Sequence, residues 1–130
     1  MIAVEVAKVE VEKWLSYKKI NERKRIDKKD SIEALINAVC DGDLILNSDF
    51  TFTQKLKFPI DGDEQTMELK YKPRIPIKEI HSKLNGVKSD NLGGMISAYI
   101  SALTGFPSAT IGVLDSEDYA VGQAIAIFFI

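Results

Sequence analysis

One histidine and one cysteine, His81 and Cys40, are the side chains here best suited to general-base or nucleophilic work. A general base needs a partner group in a cleft. His81 instead sits between Lys78, Glu79 and Lys83 on a short helical stretch, so it reads as a solvated or cap-region histidine. Cys40 falls on the apolar stripe set by Ile36 and Val39, where a free cysteine behaves as a small hydrophobe. One His and one Cys do not make a structural zinc site. The carboxylates of Asp61-Gly62-Asp63-Glu64 have calcium-like spacing but lack the ligand set of an EF-hand, so the segment reads as a hairpin turn. Gly93-Gly94 has no phosphate-loop lysine. No Ser/His/Asp arrangement is identifiable. The sequence therefore assigns no catalytic, cofactor-binding or metal-binding residue and is read as non-enzymatic.

The charge distribution points to protein partners. Formal net charge is −2, which argues against nucleic acid or an anionic membrane as the main partner. The run Lys18–Lys29 is rich in base, and an alternative reading makes it a nucleic-acid-binding module. Aromatic residues beside it are few, and a solvated helix face is the preferred reading. Residues 89–130 carry four acids (Asp90, Asp115, Glu117, Asp118) and no Lys or Arg. A single cysteine forbids an internal disulfide and suits a reducing cytoplasm. The first residues lack the pattern of a signal peptide, and no stretch approaches the ~18 apolar residues of a membrane span.

Periodicity supplies the elements. Residues 4–20 read as a helix, with the first ten also strand-like because Val4, Val6, Val9 and Val11 alternate. Ile32, Leu35, Ile36, Val39 and Cys40 define an amphipathic helix, capped by Asp30 or Ser31 and stopped by Gly42. The period then becomes two. Leu44 and Leu46 alternate with Ile45 and Asn47, and Phe50, Phe52, Gln54, Leu56 and Phe58 share one face of a strand that Pro59 ends. Met67, Leu69 and Tyr71 line a third strand. Helices are expected over 76–84, from Asp90 to Gly105, briefly after Pro107, and from Asp115 to the last residue. The predicted fold is α+β and a single domain. It has a helical N-terminal extension (1–42), a small antiparallel meander of two or three strands (43–72), and a C-terminal helical bundle (76–130).

Four short segments in order resemble the phage tail assembly chaperones of the Mu-like family. They are Leu56-Lys57-Phe58-Pro59-Ile60-Asp61-Gly62, Met67-Glu68-Leu69-Lys70-Tyr71-Lys72-Pro73, Ile100-Ser101-Ala102-Leu103-Thr104-Gly105, and Leu114-Asp115-Ser116-Glu117-Asp118-Tyr119. The resemblance covers roughly residues 54–130. One departure is Ile77-Lys78-Glu79, where the family has an acid at the helix start. Residues 1–50 are not accounted for by it.

The resemblance implies a protein that binds the hydrophobic tape measure protein and keeps it soluble, and that helps recruit the tail tube protein. It would work in the bacterial host cytoplasm, leave before the virion is complete, and need no cofactor. Many such proteins also occur as a longer frameshifted product. Leu92, Met95, Tyr99, Phe106, Phe128 and Phe129 are the expected partner-contact residues, since Met and aromatics suit an adaptable apolar surface. The apolar end Ala124–Ile130 has two readings, a helix packed in the core or a face awaiting a partner. Self-association through it is an expectation of the second. The rival function is a virion structural or adaptor protein of the head–tail or tail region.

Overall fold

The computed structural model describes residues 1–62 and 65–130; Asp63 and Glu64 of the expected polar turn lie outside the described residues. The fold is α+β. Its order is α1 (Val4–Tyr17), α2 (Glu22–Asp27), α3 (Lys29–Asp41), β1 (Leu44–Leu46), β2 (Phe52–Ile60), β3 (Thr66–Tyr71), α4 (Ile77–Leu84), α5 (Leu92–Thr104), α6 (Ser108–Ile111) and α7 (Ser116–Ala126). The strands form one antiparallel sheet in the order β1-β2-β3.

A three-stranded sheet with one greasy face needs cover to be stable. Here helices from both halves of the chain supply it. α1 packs on α3, α3 on α7, α7 on α5 and β2, and α5 on β3. Ala7, Val11, Trp14, Leu15, Leu35 and Val39 of the first 42 residues join Leu44, Phe52, Leu69, Tyr71, Ile100, Leu103 and Ile125 in one cluster. Trp14, 1% exposed, is the largest of these side chains, and its ring lies 5.0 Å from that of Phe52. In α1 the helical period wins over the strand-like alternation, because Ala7, Val11, Trp14 and Leu15 then reach one core, leaving Val4, Val6 and Val9 exposed.

Several boundaries differ from expectation for local reasons. α1 stops at Tyr17, and Lys19 adopts φ 56, so the chain turns into α2 inside the basic run. No side chain caps α3; it follows α2 directly through Lys28. Asn91, not Asp90, caps α5, its side chain accepting from the Gly94 amide at 2.9 Å. At the far end Gly105 turns left-handed (φ 79) and closes the helix as expected.

The strand β2 does not end at Pro59. It continues to Ile60 through a large irregularity: between the pairs Lys55↔Glu68 and Ile60↔Thr66, β2 advances five residues while β3 advances two. Proline is tolerated there because the bulge removes ladder bonds it would otherwise break. The bulge also changes which side chains face inward. Leu56 is buried, whereas Phe58, expected on the same face, is 54% exposed.

The bulge is held by α7. The Asp118 carboxylate accepts from two consecutive strand amides, Lys57 N–H at 2.9 Å (Oδ1) and Phe58 N–H at 3.0 Å (Oδ2). Gln54 Nε2 donates to the Asp118 carbonyl at 2.9 Å, and Tyr71 Oη donates to Gln54 Oε1 at 2.6 Å. All three side chains are buried. Burial, then the negative charge of Asp118, raises the Tyr71 phenol far above its ordinary range, so it stays a neutral donor. Among the described residues, no buried side-chain polar atom lacks a partner.

α7 approaches this network at Gly122, where a Cβ would lie 2.8 Å from Tyr71 Oη and 3.1 Å from Ile100 Cδ1. Gly122→Ala is expected to cost about 1–3 kcal/mol by overpacking. Gly93→Ala, where an added Cβ meets nothing closer than Asn91 Oδ1 at 3.8 Å, should be neutral or stabilising. Urea unfolding of both variants checks this; equal stability of the two would show that the close approach does not constrain the packing.

Candidate functional site

The six expected contact residues do not form one surface. Leu92, the first residue of α5, is 56% exposed. Met95, Phe106 and Phe129 are half-buried. Tyr99 and Phe128 belong to the core, so in this structure they are not contact residues. The reason for Phe128 is that α7 ends at Ala126. The chain then turns, with Phe128 N–H donating to the Ile125 carbonyl at 3.2 Å and Phe129 N–H to that of Ala126 at 2.9 Å. This swings Phe128 edge-on against Trp14, centroids 5.7 Å apart at 83°, with Phe129 at 6.2 Å. An edge-to-face pair is a favoured aromatic geometry. The last helix is thus neither continuous to residue 130 nor wholly an open face.

Other large apolar side chains are more exposed. Phe58, Leu92 and Val113 are each more than half exposed, as are Val9, Ile26, Met67 and Ile77. The first three stand on segments that meet or precede α7. Phe58 N–H is bonded to Asp118, Tyr119 Oη lies 3.4 Å from the Gly93 carbonyl and 2.9 Å from Ser97 Oγ, and Val113 precedes the cap of α7 by two residues. Asp115 caps α7 by accepting from Glu117 N–H at 2.9 Å, and Glu117 joins it in the first turn. Both carboxylates sit at the positive end of the α7 dipole. Three polar side chains of the segment Leu114–Tyr119 have a structural role: Asp115 caps, Asp118 holds β2, and Tyr119 ties α7 to α5.

Three residues of the basic run, Lys18, Lys24 and Arg25, are held by other parts of the chain, while Lys19, Arg23 and Lys29 are exposed. Arg25 Nη1 contacts both oxygens of Glu12, at 2.7 and 2.6 Å, and its Nε donates to the Ile20 carbonyl at 2.9 Å. Hydrogen bonding from Arg25 holds the Glu12 carboxyl below its usual range. Lys24 Nζ donates to main-chain oxygens of Phe128 at 3.3 Å and Ile130 at 3.4 Å. Lys18 Nζ donates to the Pro73 carbonyl at 3.1 Å and sits 3.5 Å from the centroid of the Phe129 ring. Burial first, then the charges of Arg74 and Lys24, pull Lys18 down to about 8. Nearby, Tyr17 and Phe50 stack with centroids 4.1 Å apart, and Phe50 holds a left-handed φ of 65. That stack pins the β1–β2 turn to the end of α1.

His81 is exposed on α4, and Cys40 is half-buried on α3. Among the described residues, no group of three or more His, Cys, Asp and Glu is placed to hold a metal ion. No helix among them is long and apolar enough to cross a membrane. Sequence reasoning missed Gln54 as a buried polar hub; its signal was an amide in an otherwise apolar alternation. It also missed Phe58 and Val113, whose exposure follows from the bulge and from the turn before α7.

No protein-family model, curated protein or solved structure matches the chain.

Burial separates the expected contact residues experimentally. Phe128→Asp places a charge in the core against Trp14 and should cost more than about 3 kcal/mol. Leu92→Asp should change stability by less than about 0.5 kcal/mol, as an exposed substitution. Thermal melts followed by far-UV circular dichroism check both; similar melts for the two variants would contradict this placement.

Proposed function

We propose that this chain is a non-catalytic protein-binding protein, a phage tail assembly chaperone that binds the hydrophobic tape measure protein and keeps it soluble while the tail is built. Two independent lines support the reading. One is the ordered set of four segments between Leu56 and Tyr119 that resemble the Mu-like family. The other, which carries the proposal, is the exposure of the apolar side chains Phe58, Leu92 and Val113 on segments that meet or precede α7, whose cap and first turn carry Asp115 and Glu117. Apolar side chains supply affinity for an apolar helical client, while those carboxylates discourage self-aggregation and favour basic flanks on the client. The tail tube protein is the second proposed partner, and the host cytoplasm the proposed place of action. A chaperone of this kind is absent from the finished particle; a head–tail or tail adaptor stays in it.

Co-expression with the neighbouring tape measure protein tests the reading. The long protein is expected to become soluble and to co-purify. Leu92→Asp with Val113→Asp should weaken capture about tenfold or more, a loss of about 1.4 kcal/mol, while the chain stays folded. A tape measure protein that remains insoluble and unbound, together with recovery of this chain from purified virions, would replace the chaperone reading with the adaptor one.

A further inference from the structure

We infer that the outer edge of β3 is a self-pairing surface: two copies of this chain join their β3 strands antiparallel, centred on Leu69, so that Glu68 of each stands opposite Lys70 of the other. The register of the existing sheet shows which main-chain groups are available for this. Lys55 N–H donates to the Asp43 carbonyl at 2.8 Å and Asn47 N–H to the Thr51 carbonyl at 2.9 Å, so the odd-numbered residues of β2 bond toward β1. Phe52 and Gln54 then bond toward β3, where they pair with Tyr71 and Leu69. Glu68 and Lys70 consequently turn their N–H and C=O groups to the outer edge. Lys72 has the same sense, since its N–H leaves the sheet for the Leu103 carbonyl at 3.1 Å. Among the described residues, no backbone hydrogen bond outside the ladder reaches Glu68 or Lys70. β3 packs on β2 at its side and on α5 beneath, with β1 beyond β2, so this edge ends the sheet.

A bare strand edge is a template for pairing with another chain, and charges usually blunt it. The charges here select a partner instead. Glu68 and Lys70 are exposed, and among the described residues no salt bridge reaches Lys55, Glu68 or Lys70. Lys55 stands opposite Glu68 within the sheet. Pairing about Leu69 extends that row to the second copy's Lys70, so the signs alternate across three strands, and the two-fold axis repeats the row in reverse. Opposite charges directly across a strand pair stabilise it, and like charges destabilise it. A slip of two residues keeps the hydrogen-bonding sense but sets Glu68 against Glu68, or Lys70 against Lys70. In the second slip Lys72 is a poor partner for Glu68, because its N–H is held by Leu103 and its ammonium lies 3.9 Å from Glu79.

The inner side of the strand gains as well. Met67 is 56% exposed, although Leu69 and Tyr71, on the same side of β3, are buried. In the Leu69-centred register Met67 lies across from the second copy's Tyr71. That is a non-hydrogen-bonded position, where side chains of an antiparallel pair approach most closely. The outer side thus pairs charge with charge, the inner side apolar with apolar, and the edge amides meet edge carbonyls. A longer sheet is also sturdier than one of three strands. The pairing uses none of Phe58, Leu92 and Val113, so failure of the client assay leaves this inference untouched, and the reverse holds too.

Sedimentation velocity of the native chain from about 1 to about 500 µM should show a reversible monomer–dimer equilibrium. Glu68→Lys and Lys70→Glu, each alone, set like charges opposite one another and should raise the dissociation constant about tenfold or more. Both positions are exposed, and far-UV circular dichroism controls for folding. Mixed in equal amounts, the two variants again face acid to base at both positions, and the mixture should dimerise more tightly than either variant alone. A native chain that stays monomeric across the range overturns the inference, even if the edge captures a foreign extended peptide. A dimer that both variants leave intact, or a mixture no tighter than its components, overturns it too.

Discussion

Asp118 accepts from the amides of Lys57 and Phe58, which are consecutive residues of one strand. In a regular strand such amides point to opposite edges, so a single carboxylate meets both only where the strand is bulged. The bulge and the carboxylate therefore require each other. An unpaired pair of strand amides would be costly under a helix, and a carboxylate 2% exposed would be costlier still without donors. Gln54 and Tyr71 extend the same logic inward, binding the Asp118 carbonyl to the far strand. Helix α7, the bulge in β2 and the inner face of the sheet thus form one hydrogen-bonded unit around which the apolar core closes.

That unit also shapes the surface. It turns Phe58 outward and fixes α7 beside α5, while Leu92 at the start of α5 and Val113 in the α6–α7 turn stay exposed as well. At the start of α7, Asp115 caps the helix and Glu117 stands in its first turn, where both carboxylates suit the positive end of the dipole.

Much of this was legible in the sequence. The amphipathic period of Ile32–Cys40, the change of period at Leu44, the Leu-Thr-Gly stop at Gly105 and the Asp115 cap all found the expected local structure. These are features that neighbouring residues decide. The fate of Phe58 was not legible, because a bulge is set by a carboxylate sixty residues away. Nor was that of Phe128, because local periodicity continues the helix while Trp14, more than a hundred residues upstream, draws the ring inward. Tyr99 keeps helical spacing with Leu92 and Met95, yet a helix touched by β3, α4, α6 and α7 has little free face beyond its first turn. Composition names the apolar residues; only the packing partners divide them between core and surface.

The two ends of α7 are held by different means. At the start, the Asp118 carboxylate accepts from two strand amides, Asp115 caps the helix, and Tyr119 adds a link to α5. Past the end, Phe128 and Phe129 lie against Trp14, and Lys24 donates to main-chain oxygens of Phe128 and Ile130. The first anchor is polar and depends on the bulge in β2, where each hydrogen bond strengthens its neighbours. The second is apolar and depends on a ring supplied by α1, so Phe128 closes the core from the far end of the chain. Between the two, Gly122 lets the helix sit against Tyr71 and Ile100. The docking of α7 therefore draws on the sheet at one end and on the first helix at the other, and the core is complete only when both are in place.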